Sequence, residues 1–112
     1  MTLRQKQSHF ARLVAQLLTW AHTQGYELTF GEAYRTAEQQ ALYVQQGKSQ
    51  TRNSKHLNRL AIDLNLFING QYQQGWKAYE PLGAHWEALD PKNVWGGRWT
   101  TLRDAVHFEY NG

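Results

Sequence analysis

Apolar residues near the start of the chain recur at the period of a helix. Phe10, Leu13, Val14, Leu17, Leu18 and Ala21 lie three or four apart, and Gly25 stands where a helix running from about Leu3 to Thr23 would stop. Tyr26, Leu28 and Phe30 then alternate with Glu27, Thr29 and Gly31, the pattern of a short half-buried strand ending near Arg35. Thr36 and Gln39 form a capping-box pair ahead of a helix over Ala37 to Gln46, which Gly47 breaks. The polar stretch Gly47 to Asn53 has no periodicity and is expected to be a loop that could move over a site.

Alternation resumes at Leu60. Leu60, Ile62, Leu64, Leu66 and Ile68 form one face of a strand and are expected in the core, while Ala61, Asp63, Asn65 and Phe67 form the other. Asn69-Gly70 is a strong hairpin signal and returns the chain through Gln71, Tyr72 and Gln73. A short helix is expected over Pro81 to Leu89, ended by Asp90-Pro91; Trp95-Gly96-Gly97 marks a turn, and Ala105 to Tyr110 reads as a closing strand. This order predicts an α+β fold, a small antiparallel sheet with helices packed on one side.

Composition narrows the chemistry. At 112 residues, with 41% hydrophobic residues and five Trp, six Tyr and four Phe, the chain suits a single domain over residues 1–112 with one real core. Trp76, Tyr79, Trp86, Trp95 and Trp99 are expected in that core or in a cleft wall, Trp99 nearest the cleft. With no cysteine, disulfides, thiolate metal ligands and Cys nucleophiles are excluded, so any metal must sit on His, Asp or Glu. No secretory signal is evident, and no apolar run reaches the roughly 20 residues needed to span a bilayer, so a monomeric protein made in the cytoplasm and not inserted in a membrane is expected. The net charge of +3 is scattered rather than gathered into a run, which argues against a nucleic-acid partner and is mild enough to favour approach to an anionic polymer.

His9, His22 and His85 lie on expected helices, where surface or core-satisfied roles are favoured. His56 and His107 sit beside carboxylates in sheet-like stretches. His56 and Asp63 are an odd number of residues apart and would face opposite ways on one continuous strand, so they converge only if the chain turns, and Asn58-Arg59 offers a turn. At the other end, strand parity puts His107 and Glu109 on one face and Val106 and Phe108 on the other, with Asp104 on the turn leading in. Two imidazoles and one carboxylate make a three-ligand set that leaves a fourth tetrahedral position open, as in a catalytic zinc site, with Asp104 as the adjacent acid–base group. On spacing alone, the plainer alternative stands beside this: turn or strand-end carboxylates and packed or solvated histidines.

Ser54-x-His56-x6-Asp63 resembles the S-x-H-x(6)-D signature of the M15 family of D-alanyl-D-alanine carboxypeptidases and related peptidoglycan peptidases. Trp95-Gly96-Gly97-Arg98-Trp99 followed by Asp104-x-x-His107-Phe108-Glu109 is similar to the ending of the phage endolysin branch, the L-alanyl-D-glutamate endopeptidases. Val106 departs from the Pro that often precedes the last histidine in that branch. The resemblance, from about Tyr34 to Glu109, implies zinc on His56, Asp63 and His107, an M15/hedgehog-like fold with the metal in a cleft on the sheet's open face, and Asp104 as general base. It further implies that Arg35 binds substrate and stabilises the oxyanion, and that Ser54 contacts substrate. Glu109 would either orient His107 or be solvated at the sheet edge. Zinc is inferred from ligand type, manganese being an alternative. The expected activity is zinc-dependent hydrolysis of peptidoglycan stem peptides in the bacterial cell wall, the L-alanyl-D-glutamate bond first; the alternatives are a D-alanyl-D-alanine carboxypeptidase or dipeptidase and a non-catalytic wall-binding module.

Overall fold

The first helix, α1 (Leu3–Thr23), buries Phe10, Leu13, Val14, Leu17 and Ala21 along one stripe, the residues whose spacing predicts it. Its start is fixed by a capping box that the pattern did not single out. Thr2 Oγ1 accepts from the Gln5 backbone N–H at 3.1 Å, and Gln5 Oε1 accepts from the Thr2 N–H at 2.8 Å. The computed structural model describes residues 1–49, 51 and 54–112. The expected loop Gly47 to Asn53 is therefore seen only in part: Gln50, Arg52 and Asn53 lie outside the described residues.

After α1 come β1 (Glu27–Phe30), α2 (Ala37–Gln45), a 3-10 turn (Lys55–Asn58), β2 (Ala61–Ile68) and β3 (Gln71–Tyr72). Then follow α3 (Trp76–Leu89), β4 (Asn93–Trp95), a second 3-10 turn (Gly96–Arg98) and β5 (His107–Tyr110). The strands form one antiparallel sheet in the order β1-β2-β5-β4, with β3 paired to β2. The β2–β3 hairpin turns on Asn69 and Gly70 with φ of 53° and 76°, the paired left-handed conformations that this dipeptide tolerates.

One face of β2 is apolar, and Leu60, Ile62, Leu64 and Leu66 are buried against α1 and α3. The helical layer is α1 and α3. α2 contributes nothing to this core cluster, and its one buried residue is polar, Gln40. β1 is shorter than the expected strand, and Phe30, at the end of this edge strand, stays 66% exposed. Alternation reports which face a residue takes, not whether anything covers that face.

Three further boundaries differ from the sequence pattern. α3 begins at Trp76, five residues before Pro81, and its N-cap Gly75 supplies no side-chain cap. Pro81 removes one backbone donor inside the helix, and burial of Tyr79, Leu82 and Trp86 on the same face outweighs that loss. β4, three residues long, carries too little alternation to be recognised. β5 starts at His107 rather than Ala105, because Ala105 and Val106 form the turn that brings the chain in.

Aromatic N–H and O–H groups bind the layers together. Trp86 Nε1–H reaches the carbonyls of Val94 at 3.2 Å and Glu109 at 3.1 Å, tying α3 to β4 and β5. The Tyr79 hydroxyl accepts from the Leu66 N–H at 3.0 Å and donates to the Gln73 carbonyl at 3.2 Å. Trp95 Nε1–H donates to the Ala105 carbonyl at 2.7 Å, and its ring lies so close to Gly83 and Gly97 that a Cβ on either would fall 2.1 Å from a ring carbon. Gly83→Ala is therefore expected to lower stability by about 1–3 kcal/mol through overpacking, as a lower urea midpoint at unchanged m-value. An unchanged midpoint would show that the ring can move aside.

Candidate active site

The register of the sheet assembles the site. β2 and β5 pair Asp63 with His107 and Ala61 with Glu109, on the face opposite the core residues Ile62 and Phe108. The Asp63 backbone is also gripped from β1's side: its N–H donates to the Glu32 carbonyl at 2.9 Å and its carbonyl accepts from the Gly31 N–H at 2.8 Å. His56 arrives on the 3-10 turn, which Ser54 caps by accepting the His56 N–H at 3.3 Å. Arg59 then takes a left-handed conformation, φ 56°, and swings the chain into β2. This is the turn that the odd spacing of His56 and Asp63 requires.

His56 Nε2 lies 3.1 Å from His107 Nδ1 and 3.2 Å from Asp63 Oδ1, and His107 Nδ1 lies 3.6 Å from the same oxygen. The other ring nitrogens have acceptor partners. His107 Nε2 is 2.7 Å from Glu109 Oε1, and His56 Nδ1 is 3.4 Å from the Ala33 carbonyl, so each carries the N–H. Two imidazole lone pairs and a carboxylate oxygen thus face one another, and Asp63 Oδ1 is buried with no hydrogen-bond partner. Tetrahedral zinc with bonds near 2.0–2.1 Å requires ligand atoms about 3.3 Å apart, the spacing found here. The donor set fits a divalent cation, and the described residues contain no other cluster of this kind.

Electrostatics agree. Burial opposes ionisation of Asp63, but the close His107 and His56 rings hold its pKa down at about 2. Without a cation, burial works against protonation of His107, yet Asp63 and Glu109 raise its pKa to about 9.

The triad opens into a cleft of about 990 Å³ whose lining includes Arg35, Ser54, Trp99 and Asp104. The Asp104 pKa is raised by burial and by the Asp63 charge, with His107, His56 and Arg35 pulling the other way. The Trp99 ring lies 5.0 Å from the His107 ring, centroid to centroid. Glu109, left between two readings by the sequence, is buried and bonded to His107 rather than solvated. The remaining histidines stand outside the cleft: His9 pairs with Asp90 at 2.9 Å, His22 is exposed, and His85 stacks on Trp20.

Arg35 is held on several sides. Its Nε donates to Glu32, Nη1 donates to Gln40 Oε1 at 2.7 Å and, more weakly, to Ser54 Oγ at 3.5 Å, and the guanidinium lies over the Tyr43 ring at 4.6 Å. Glu32, Gln40 and Tyr43 were not picked out in the sequence. Glu32, three residues from Arg35 in a stretch expected to be extended, and Gln40, among other polar residues on α2, gave no sequence signal.

A family model for D-alanyl-D-alanine carboxypeptidases, the M15 peptidases, matches residues 47–110, more than half of the chain. The chain belongs to this M15 family. The L-alanyl-D-glutamate peptidase of Listeria phage A118 is 34% identical over 99 residues, covering 86% of this chain and 34% of that protein, so this M15 chain spans about a third of the relative's length. The crystal structure of the Serratia marcescens L-Ala D-Glu endopeptidase ChiX superposes with a TM-score of 0.77 at 25% identity, over 92% of this chain and 78% of that one. The D,D-pentapeptidase VanY of a VanB-type vancomycin resistance cassette, solved with Zn(II), shares the fold: TM-score 0.64 at 18% identity, over 93% and 71% of the two chains.

In this M15 chain a cation at the triad would compete with the His107 proton for the same place. With the His107 pKa raised from 6.5 to about 9, the proton's contribution to stability is complete below pH 6.5 and lost as pH rises through 9. Zinc binding at pH 7.5 is expected to expel about one proton, read by calorimetry in buffers of different ionisation enthalpy. Binding heat independent of buffer would mean that His107 is neutral before zinc arrives.

Proposed function

We propose that this chain is a zinc-dependent endopeptidase that cuts the L-alanyl-D-glutamate bond of peptidoglycan stem peptides, with the cation held by His56, Asp63 and His107. The observation that carries the reading is the convergence of three buried acceptor atoms beside a carboxylate and an arginine in one open cleft. The choice of bond is supported by the activity named for the Listeria phage relative and for ChiX.

Zinc held there supplies Lewis acidity, which polarises the scissile carbonyl and makes water a better nucleophile near neutral pH. Asp104 acts as general base: its buried carboxylate takes a proton from the attacking water and returns it to the leaving amine nitrogen as the C–N bond breaks. Arg35 offers N–H donors to the oxygen on which negative charge builds, with its ion pair to Glu32 and its contact with the Tyr43 ring holding it at the cleft. Glu109 keeps the His107 proton on Nε2 and so leaves Nδ1 free to coordinate. Ser54 and Trp99 shape the two walls along which the substrate lies.

The reading implies a bacterial wall peptide as partner and the cell wall as the place of action. Among the described residues no helix is long and apolar enough to cross a membrane. The family description favours one second reading, removal of a terminal D-Ala. A non-catalytic wall-binding module would not need Asp104 and Arg35 beside the triad.

Mass spectrometry of stem peptides after incubation with the zinc-loaded protein is expected to show scission between L-Ala and D-Glu. Loss of D-Ala alone would establish the carboxypeptidase reading, and intact peptides the binding module. Asp104→Asn is expected to lower kcat by about 10²–10⁴-fold with zinc content unchanged. His56→Ala is expected to lose zinc and turnover together, and an Asp104→Asn protein of undiminished kcat would remove the base assignment.

A further inference from the structure

Gln40 is 0% exposed, and the reaction outlined above gives it no direct part. The orientation of its amide is dictated by its neighbours. Arg35 Nη1 can only donate, so the group 2.7 Å from it is Oε1. The Thr51 carbonyl can only accept, so the group facing it is Nε2, which also lies 2.9 Å from Ser49 Oγ. The amide cannot be flipped without leaving a buried donor against a donor and an acceptor against an acceptor. One end grips the guanidinium, and the other grips the chain at Ser49 and Thr51, both of which line the cleft. Glu32 holds Nε and Gln40 holds Nη1, while Nη2 has no protein hydrogen bond among the described residues.

We propose that Gln40 is a positioning residue for Arg35: it aims the guanidinium's Nη2 end into the cleft and joins it to the cleft wall at Ser49 and at Thr51, so that the arginine and these two residues are set as one unit. The proposal rests on the role given to Arg35 above. Its two halves are separable, because the amide oxygen serves the arginine and the amide nitrogen serves the wall. Gln40→Glu keeps an acceptor for Nη1 and loses the donors to Ser49 and Thr51. Gln40→Met keeps the size and loses both.

The test is steady-state kinetics of the zinc-loaded protein on purified stem peptides, with zinc affinity as the check that each variant is folded, since Gln40's hydrogen bonds go to Arg35, Ser49 and Thr51 rather than to the triad. Gln40→Met is expected to lower kcat about 10–100-fold, the scale of a misaimed catalytic group. Gln40→Glu is expected to restore kcat to within a few-fold of the parent while KM stays raised about tenfold. In an Arg35→Ala background, adding Gln40→Met is expected to lower kcat by less than about twofold further, because there is no guanidinium left to aim.

A full additional loss in that background, or equal damage to kcat by Gln40→Glu and Gln40→Met, would overturn the proposal and leave Arg35's role standing. An Arg35→Ala protein with the parent's kcat would locate the failure in the reading of Arg35 itself, and the proposal would go with it. If Gln40→Met does not fold, Gln40→Glu decides alone: lost kcat overturns, and retained kcat with raised KM supports.

Discussion

Three atoms able to coordinate a cation, His56 Nε2, Asp63 Oδ1 and His107 Nδ1, face one another, and the rest of the molecule is arranged around holding them there. Left alone, lone pairs 3.1–3.6 Å apart repel, and burying them away from water raises the cost. A proton or a cation between them turns the repulsion into binding. The arrangement persists because the far nitrogen of each ring is committed, one to Glu109 and one to the Ala33 carbonyl, so neither imidazole can rotate or change tautomer without losing a hydrogen bond.

The sheet makes this possible by dividing its labour between two faces. The face of β2 and β5 that carries Ile62, Leu64 and Phe108 is sealed by α1 and α3, and the face that carries Asp63, His107 and Glu109 is left for chemistry. The large aromatic residues fix the position of the second face from beneath. Trp86 bonds to the Glu109 backbone and Trp95 to the Ala105 carbonyl, so the strand bearing His107 is pinned on both sides of that residue. α2 is the odd element. It stands apart from the core and serves the cleft, through Gln40 and Tyr43 around Arg35.

Much of this was legible in the sequence. Periodicity gave α1 to the residue, the β2 face pattern and the hairpin at Asn69-Gly70, and parity put His107 and Glu109 together. The S-x-H-x(6)-D and D-x-x-H motifs named the triad and Asp104 before any geometry was known. What stayed hidden depends on three-dimensional neighbours. The start of α3 was masked by Pro81, whose local preference is outweighed by the packing of Tyr79, Leu82 and Trp86. Phe30 shares the alternation of a half-buried strand yet is exposed, because a pattern cannot tell an uncovered edge from a covered one. Gln40 was invisible, since a glutamine on a polar helix carries no mark of the arginine it will meet.

The pairing of Asp63 with His107 also bears on how the molecule comes together in time. These residues are distant along the chain, and closing so long a loop costs entropy before any contact rewards it. The two strands must meet in register, since a slip of one position would turn His107 toward the apolar side. Chelation therefore joins in only after this non-local contact has formed, at the end of assembly. A cation captured at that stage would do little to hasten folding but would resist its reversal, so an ion bound there would act as a latch that sets the lifetime of the folded state.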